Sequence, residues 1–335
     1  MKARAKAPAR VNLLGGHTDY NGGFVLPSVL PYYTVVEAEP REGVSAYSDA
    51  FAEERVYQQR APDGSWLDYL VGVVWALAQA GYQIPGAHFN VSGNVPLGVG
   101  LSSSAALQVA ALRALRRLYR LPIDDLEIAM LAQRAEAEYV GVRCGVMDQM
   151  ASSLAKAGEA LFIDTRSLSF RRLRLFEGAR IVVVDSARPR RLAESGYNQR
   201  RAECAEAARL LGAELLREVA EPADLALLPE PYRRRARHVI SENVRVIKAL
   251  RALEAADADE FGRLMLASHR SLKQDFEVST PELDRLVELA LAAGAYGARL
   301  TGAGFGGAIV ALVPEKGLEL FYGEVSRGYP EARFY

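Results

Sequence analysis

The sequence predicts an α+β protein with two domains. It has 335 residues, more than one compact core usually organises, and half of them are hydrophobic. Strand and helix patterns interleave in both halves, without the strict strand–helix–strand period of a parallel sheet. A short strand at 161–164 marks the change between the halves. We therefore expect an N-terminal domain over 1–165 and a C-terminal domain over 166–335.

The N-terminal half opens with strand patterns. Short apolar or β-branched runs predict strands at 11–14, 24–26, 33–39 and 89–92. Helical spacing of apolar residues over 69–79 ends at Gly81, and a longer helix begins within Ser102–Ser104. Asp124 predicts the N-cap of the next helix, with Glu127 as its capping-box partner.

The C-terminal half opens with a strong strand pattern at 181–185. Helical patterns follow at 202–211, 239–253 and 261–272. Thr280 caps a further helix that has Pro281 at its first position and ends at Gly294. Two more strands, at 298–301 and 308–312, flank a cluster of glycines.

The overall composition excludes several classes of protein. The 41 basic and 41 acidic residues give a formal net charge of zero, so no overall field attracts nucleic acid or an anionic membrane. Two cysteines and four scattered histidines predict neither a disulfide framework nor a Cys/His metal site. No apolar signal core or run of about 20 apolar residues is present. We expect a cytoplasmic protein.

The junction at 96–104 has the features of an anion-binding site. Its two glycines let the backbone approach a ligand, and a helix start leaves unpaired N–H groups. A simple serine N-cap would explain one of the three consecutive serines, not all three. The pattern is neither a Walker A loop nor a dinucleotide fingerprint. The predicted phosphate-binding residues are Pro96, Gly98, Val99, Gly100, Leu101, Ser102, Ser103 and Ser104.

This junction resembles the phosphate-binding motif of the GHMP kinases. Four further segments resemble motifs of the galactokinase type: the N-terminal signature (7–23), the catalytic aspartate segment (145–150), a segment with a sugar-contacting tyrosine (195–204) and the glycine-rich third motif (300–308). The resemblance implies an ATP-dependent kinase that phosphorylates the anomeric hydroxyl of galactose. It also implies a ribosomal S5 domain-2-like N-terminal domain, a ferredoxin-like C-terminal domain and an active site in the cleft between them.

Phosphoryl transfer needs an oriented acceptor hydroxyl and positive charge on the transferring group. Asp148 is the candidate base, although an aspartate in a loop is otherwise often a cap. Arg10 is its candidate partner, because a guanidinium there would keep the carboxylate ionised and stabilise the transition state. Galactokinases usually carry glycine before this arginine, where this chain has Ala9.

The expected cofactors are ATP and Mg²⁺, a cation that prefers oxygen ligands. The resemblance places the metal at Ser104 and Glu136; Glu138 competes for the second role, and either glutamate could instead lie on a solvated helix face. It also places Gly302 and Gly304 near the phosphates. Packing between two strands is the alternative for these glycines.

Sugar recognition requires polar groups directed at hydroxyls. The resemblance assigns this role to Gly16, His17, Thr18, Asp19, Gly145 and Tyr197. The sequence departs from the galactokinase pattern at Gly16, where the family has a glutamate that reaches the C6 hydroxyl. Three substrates remain open: galactose with another group at O6, galacturonate without the repelling carboxylate, and L-arabinose, whose pyranose lacks C6.

The alternative from another class is a non-catalytic sensor of galactose and ATP. It would not need Arg10, Asp148 and all three serines, and their presence favours catalysis. A mevalonate or homoserine kinase conflicts with the signature at 17–20 and with Tyr197. The expected partners are a small sugar and ATP, with no nucleic acid and no membrane, and the chain acts as a monomer or a homodimer.

Overall fold

The computed structural model describes residues 2–58, 61–142, 144–188, 193–219 and 222–335. The chain forms two compact units. The first comprises Met1–Arg10, Val29–Leu97 and Leu101–Ala157, and the second comprises Val11–Ser28, Gly98–Gly100 and Gly158–Tyr335. Because the units interleave along the chain, no single cut in the sequence separates them. The predicted division into 1–165 and 166–335 stays a prediction.

The first unit combines a sheet with helices. Its elements, two of which continue into the second unit, are β1 (Ala3–Leu14), β2 (Phe24–Pro40), β3 (Gly43–Ser48), β4 (Glu53–Val56), α1 (Asp68–Gln79), β5 (Gly86–Gly93), α2 (Ser103–Tyr119), α3 (Asp125–Arg134) and α4 (Met147–Leu154). Strand β3 pairs with β4 antiparallel and with β5 parallel, and β5 pairs with the C-terminal part of β2 antiparallel. The apolar faces of α1, α2 and α3 pack with the inner face of these strands in one core.

Local signals explain how the helices begin and end. Asp124 accepts a hydrogen bond from the backbone N–H of Glu127 at 2.8 Å, so the predicted N-cap of α3 is confirmed. The Glu127 carboxylate accepts a bond from the hydroxyl of Tyr82, a contact that the capping-box pattern did not predict. Gly81, which follows α1, has a φ of +91° that favours glycine.

Two arginines of α2 bind backbone carbonyl groups of strand β1 and helix α4. Arg113 donates to the carbonyl of Lys6 on β1 at 2.9 Å and to that of Ser153 on α4 at 2.7 Å. Arg117 donates to the carbonyl of Arg4 at 2.5 Å. These bonds satisfy carbonyl groups of β1 and fix α2 against both β1 and α4.

The second unit contains a four-stranded antiparallel sheet covered by helices. Its elements are β6 (Glu159–Asp164), β7 (Phe170–Arg174), β8 (Ala179–Asp185), α5 (Ala193–Leu210), α6 (Tyr232–Glu254), α7 (Ala258–Gln274), α8 (Pro281–Ala292), β9 (Gly297–Thr301), β10 (Ala308–Pro314), α9 (Leu318–Gly328) and β11 (Arg333–Phe334). The strand order is β11-β8-β10-β9. Strand β6 pairs with the N-terminal part of β2 and with β7.

The core of the second unit lies between its sheet and its helices. Strand residues such as Val184, Leu300 and Ile309 are fully buried there with apolar residues of α5 to α9. The predicted start of α8 is confirmed, because Thr280 accepts a hydrogen bond from the N–H of Leu283. No helix in the described part of the chain has both the length and the apolar character needed to cross a membrane.

Candidate active site

An ion pair between Asp148 and Arg10 is the centre of the candidate site in the first unit. Asp148 lies in the first turn of α4, and Arg10 lies on β1. Nε of Arg10 donates to Oδ1 of Asp148 at 2.7 Å and Nη2 donates to Oδ2 at 2.5 Å. Two parallel charge-assisted bonds fix both side chains. Arg10 is only 4% exposed, whereas the Asp148 side chain is 27% exposed and remains accessible to a substrate.

The start of α2 is joined to this ion pair. The hydroxyl of Ser102 donates to Oδ2 of Asp148 at 2.5 Å, and the N–H of Arg10 donates to the carbonyl of Leu101 at 3.2 Å. The predicted base and a predicted phosphate-binding serine are therefore in direct contact. Three elements, β1, α2 and α4, meet at Asp148.

The backbone of the predicted phosphate loop has alternating left-handed residues. Gly98, Gly100 and Ser102 have φ values of +76°, +88° and +55°. Alternating left-handed residues of this kind occur in backbone segments that bind anions, and phosphate binding by this loop stays a prediction. Val99 and Leu101 are buried and anchor the loop, whereas Pro96, Ser103 and Ser104 are half-buried.

Glu136 and Ser104 form a second cluster of oxygen atoms in the first unit. Glu136 lies in a π-helical turn, Ala135–Val140, that continues α3. Its Oε1 accepts a bond from the Ser104 hydroxyl at 3.0 Å and its Oε2 accepts one from the Gln149 amide at 2.8 Å. Glu138, in contrast, is exposed and pairs with Arg134. The two competing glutamates thus point in different directions, and Glu136 is the one that meets Ser104.

The charge around Glu136 fits a divalent cation. Burial and then the nearby Asp148 raise the pKa of Glu136 to about 7, although its hydrogen bonds and Arg10 oppose the shift. Glu136 therefore interacts electrostatically with both Asp148 and Arg10. A Mg²⁺ ion would add positive charge here, and it prefers oxygen ligands such as those of Ser104 and Glu136.

The predicted sugar signature forms a tight turn in the second unit. His17 has a φ of +59°, in the left-handed region that non-glycine residues seldom adopt. Its Nδ1 lies 3.0 Å from the Tyr20 hydroxyl and its Nε2 lies 3.1 Å from the carbonyl oxygen of Ala303. Its ring packs against Phe276 and Tyr197, at centroid distances of 4.7 and 5.5 Å. Both ring nitrogens are engaged within the protein.

Thr18 and Asp19 differ in exposure. The buried hydroxyl of Thr18 donates to the carbonyls of Gly15 and Phe24 and closes the turn. Asp19 is half-buried and opens the 3₁₀ turn Asp19–Asn21. Thr18 therefore stabilises the turn, whereas the carboxylate of Asp19 lies nearer to solvent than the Thr18 hydroxyl.

Gly16 is held from α6 and faces a buried arginine. Its N–H donates to Oε1 of Glu242 at 3.1 Å, and its carbonyl accepts a bond from Nε2 of His238 at 2.9 Å. A Cβ added at this position would lie 2.5 Å from Nη2 of Arg299. The guanidinium of Arg299 thus occupies the space beside residue 16.

The glycine-rich segment between β9 and β10 contacts the signature. Gly302 and Gly304 have φ values of +76° and +79°, and a Cβ at Gly304 would lie 2.3 Å from the carbonyl oxygen of Val278. The carbonyl oxygen of Ala303, between them, accepts the hydrogen bond from Nε2 of His17. Close packing therefore requires glycine at 304, and the predicted contact of this segment with phosphates stays a prediction.

Comparisons with protein families agree with this geometry. Residues 68–156 match the GHMP kinases N terminal domain, and residues 249–331 match the GHMP kinases C terminal domain. Residues 2–40 match the galactokinase galactose-binding signature.

Individual relatives are similar over nearly the whole chain. A curated galactokinase of Roseiflexus sp. is 46% identical over 98% of this chain and 87% of its own length, and one of Pyrococcus furiosus is 42% identical over 93% and 89%. The crystal structure of Lactococcus lactis galactokinase complexed with galactose has a TM-score of 0.94 and 35% identity, covering 100% of this chain and 92% of the other. The chain belongs to the galactokinase family of GHMP kinases. The resemblance stated from its motifs is confirmed, as is the two-domain GHMP kinase fold of mixed α and β structure.

The structure of this galactokinase-family chain groups its predicted site residues in two sets. In the first unit it brings together Arg10, Asp148 and Ser102, and also Ser104 and Glu136; Gly145 lies half-buried in the loop before α4. In the second unit, His17 connects the signature to Tyr197 and to the segment with Gly302 and Gly304. The roles of these residues in binding and catalysis stay predictions.

Four polar residues that contact predicted site residues of this galactokinase-family chain were not predicted from the sequence. They are Gln149, which binds Glu136, and His238, Glu242 and Arg299, which surround Gly16. The signal for two of them was present, since His238 and Glu242 lie at positions where the apolar stripe of α6 would place hydrophobic residues. A buried polar residue in an apolar stripe needs a partner, and here the partner is the signature.

We expect Gly16→Ala to lower the stability of this galactokinase-family protein by about 1–3 kcal/mol, the usual effect of overpacking. The Arg299 guanidinium that the new methyl group would displace is bound to the carbonyl of Leu300 and to Glu242. Urea unfolding measures the change. Gly323→Ala in α9 is the matched control, because nothing lies within 4 Å of a Cβ there. Equal stability of wild type and Gly16→Ala would contradict the fixed position of Arg299.

Three buried histidines predict a loss of stability in mild acid. Burial, reinforced by neighbouring charges, lowers the pKa of His17 to about 3, and burial lowers those of His238 and His269 to about 4. Between pH 6.5 and 4 these histidines take up protons in the unfolded chain but not in the folded chain, so their contribution to stability is full above pH 6.5 and falls as the pH drops. Glu136, whose pKa is raised to about 7, acts in the opposite direction but offsets only about one of the three histidines. Each histidine should cost about 1–2 kcal/mol between pH 6.5 and 5.

Urea unfolding at pH 7, 6 and 5 tests this prediction. The variant His269→Gln should lose less stability than the wild type over the same range, because one of the three proton uptakes is removed. A free energy of unfolding that stays constant from pH 7 to pH 5 would contradict the expectation.

Proposed function

We propose that this chain is a galactokinase: it transfers the γ-phosphate of ATP to the anomeric hydroxyl of galactose and releases galactose 1-phosphate and ADP. The observation that carries the proposal is the bidentate ion pair of Arg10 and Asp148 at the start of α4, in contact with Ser102. The curated relatives are galactokinases, and the Lactococcus lactis enzyme binds galactose in its crystal structure.

In this mechanism Asp148 takes the proton of the anomeric hydroxyl. The sugar oxygen then forms a bond to the γ-phosphorus while the bond between that phosphorus and the β–γ bridging oxygen breaks. Arg10 holds the Asp148 carboxylate in place and stabilises negative charge as it develops. The partly exposed Asp148 suits its task, because the base must touch the substrate, and burial holds Arg10 in place beside it.

ATP is bound in this proposal by the loop at 96–104 and the segment with Gly302 and Gly304. The left-handed residues at 98, 100 and 102 direct backbone N–H groups towards the phosphates. Ser104 and Glu136 would hold Mg²⁺, which would supply positive charge against the negative charge of the phosphates.

Galactose is the substrate that the relatives support despite Gly16. If residue 16 faces C6 of the sugar, galacturonate would need a cation free to bind its carboxylate there. Arg299 is the cation at this position, but it is fully buried and its guanidinium is bound to Glu242. The observation disfavours galacturonate, and none of the described contacts singles out L-arabinose.

Two alternative functions, a non-catalytic sensor and a kinase for mevalonate or homoserine, fit the chain less well. A sensor without catalysis would not need the Arg10–Asp148 pair, and mevalonate or homoserine kinases do not fit the match to the galactose-binding signature at 2–40. We propose that the partners are the sugar and ATP, with no nucleic acid and no membrane, that the chain works as a monomer or a homodimer, and that it works in the cytoplasm, where ATP is available.

ATP consumption by the purified protein with Mg²⁺ tests the function. The panel comprises galactose, galacturonate, L-arabinose, glucose, mevalonate and buffer alone. Turnover on galactose far above the others is expected. A preference for galacturonate or L-arabinose would overturn the substrate, and binding of galactose without turnover would favour the sensor.

A further inference from the structure

Two residues of α6 bind the backbone of the signature by hydrogen bonds. His238 and Glu242 are four residues apart, so they lie on one face of the helix, and neither has any exposed surface. His238 donates to the carbonyl of Gly16 at 2.9 Å, while the N–H groups of Gly15 and Gly16 donate to one oxygen of Glu242 at 2.9 and 3.1 Å. We call these two side chains the α6 clamp.

The Glu242 carboxylate is fixed independently of the signature. Arg245 donates to Oε2 at 2.6 Å, and Ser268 and Arg299 donate to Oε1 at 2.6 and 3.3 Å. Burial alone would raise the pKa of Glu242, but these two arginines, His238 and the Ser268 hydroxyl hold it well below its ordinary value. Glu242 is therefore a charged acceptor whose position is fixed by groups outside the signature.

The loop that the clamp holds is strained. Immediately after Gly16, His17 takes a left-handed conformation that is unfavourable for a side chain, and such conformations persist only where the surroundings impose them. The ring of His17 is fixed by Tyr20 and Ala303, and the peptide before it is fixed by the clamp. Asp19 follows two residues later.

We infer that His238 and Glu242 are positioning residues for the sugar acceptor. By holding both sides of Gly16 they set the direction in which the chain enters His17 and Asp19. Neither touches the reacting atoms. The inference rests on the proposed function, in which Gly16, His17, Thr18 and Asp19 bind the sugar.

The test compares the KM for galactose with the KM for ATP in the full-length variants Glu242→Gln and His238→Gln. Each variant should raise the KM for galactose about tenfold or more, the effect of losing one hydrogen bond of a charged or buried group. The KM for ATP should stay within about twofold, because the backbone groups that the clamp binds are those of Gly15 and Gly16 in the sugar signature. Thermal unfolding confirms that each variant is folded at the assay temperature, and either one suffices if the other does not fold.

Two control variants remove similar groups from the same unit. Glu203→Gln weakens ion pairs with Arg200 and Arg235, and His269→Gln removes a buried imidazole that binds Leu300 and Asp284. The controls should lose comparable stability without changing the ratio of the two KM values.

Two results would overturn the inference while leaving galactokinase activity in place: an unchanged KM for galactose in a folded clamp variant, or a parallel rise of both KM values, as in the controls. A wild-type protein that phosphorylates no sugar overturns the proposed function first, so the two failures are distinguishable.

Discussion

Asp148→Asn should lower kcat by about 10³-fold, within the range expected when a general base is lost. The amide has the shape of the carboxylate but cannot take the proton of the anomeric hydroxyl. It can still accept one bond from Arg10, so the fold should persist, and both KM values should change by only a few-fold. Steady-state kinetics with galactose and ATP measures the effect.

The control for this variant is Asp125→Asn on α3. Asp125 is also paired with an arginine, Arg116, at 3.0 Å, but its side chain is 46% exposed and lies on the surface. The control should retain full activity. An Asp148→Asn enzyme that keeps more than a tenth of the wild-type kcat would show that another group accepts the proton.

Arg10→Lys should lower kcat by about 10²-fold. A lysine keeps the positive charge but cannot make the two parallel bonds that Arg10 makes to Asp148. The base would lose its fixed orientation, and the developing charge would lose a preorganised donor, a loss typically of about 10²–10³. Steady-state kinetics of Arg10→Lys with galactose and ATP measures the loss of kcat.

The double variant tests whether the two residues work as a unit. Arg10→Lys combined with Asp148→Asn should be little slower than Asp148→Asn alone, because residues that act together give non-additive losses. Losses that multiply would mean that Arg10 and Asp148 act independently. Arg180→Lys, in the exposed ion pair with Glu315, is the control and should be neutral.

Elements with local signals could be predicted from the sequence. The Asp124 and Thr280 caps and the periodicity of α1, α7 and α8 are properties of adjacent residues, and the structure confirms them. The runs at 24–26 and 33–39 belong to one strand, β2, because the two prolines between them, Pro27 and Pro31, did not interrupt the extended backbone.

Elements whose stability comes from distant pairing could not be predicted. Strand β7 reads Phe-Arg-Arg-Leu-Arg and lacks apolar alternation, so its pairing with β6 leaves no trace in the local pattern. The π-helical turn at Ala135–Val140 continues a helical sequence, and its wider turn places Glu136 beside Ser104 and Glu138 on the surface. Periodicity alone could not choose between these two glutamates.

The site was predicted by resemblance more than by spacing. Arg10 and Asp148 are 138 residues apart, and the residues next to each of them do not predict the ion pair. The α6 clamp was missed because His238 and Glu242 lie more than 220 residues from the glycines they hold. Their burial in an apolar stripe was a local signal, but its meaning depends on the partner.

The position of the new phosphate on the sugar decides whether this chain phosphorylates the anomeric hydroxyl. Galactose and ATP are incubated with the purified protein and Mg²⁺, and the product is examined by ³¹P NMR with detection of coupling to sugar protons. Besides the signals of ADP, we expect one new phosphorus signal, which is coupled to the anomeric proton and grows as ADP appears. Coupling to the protons at C6, or inorganic phosphate as the only product, would contradict it.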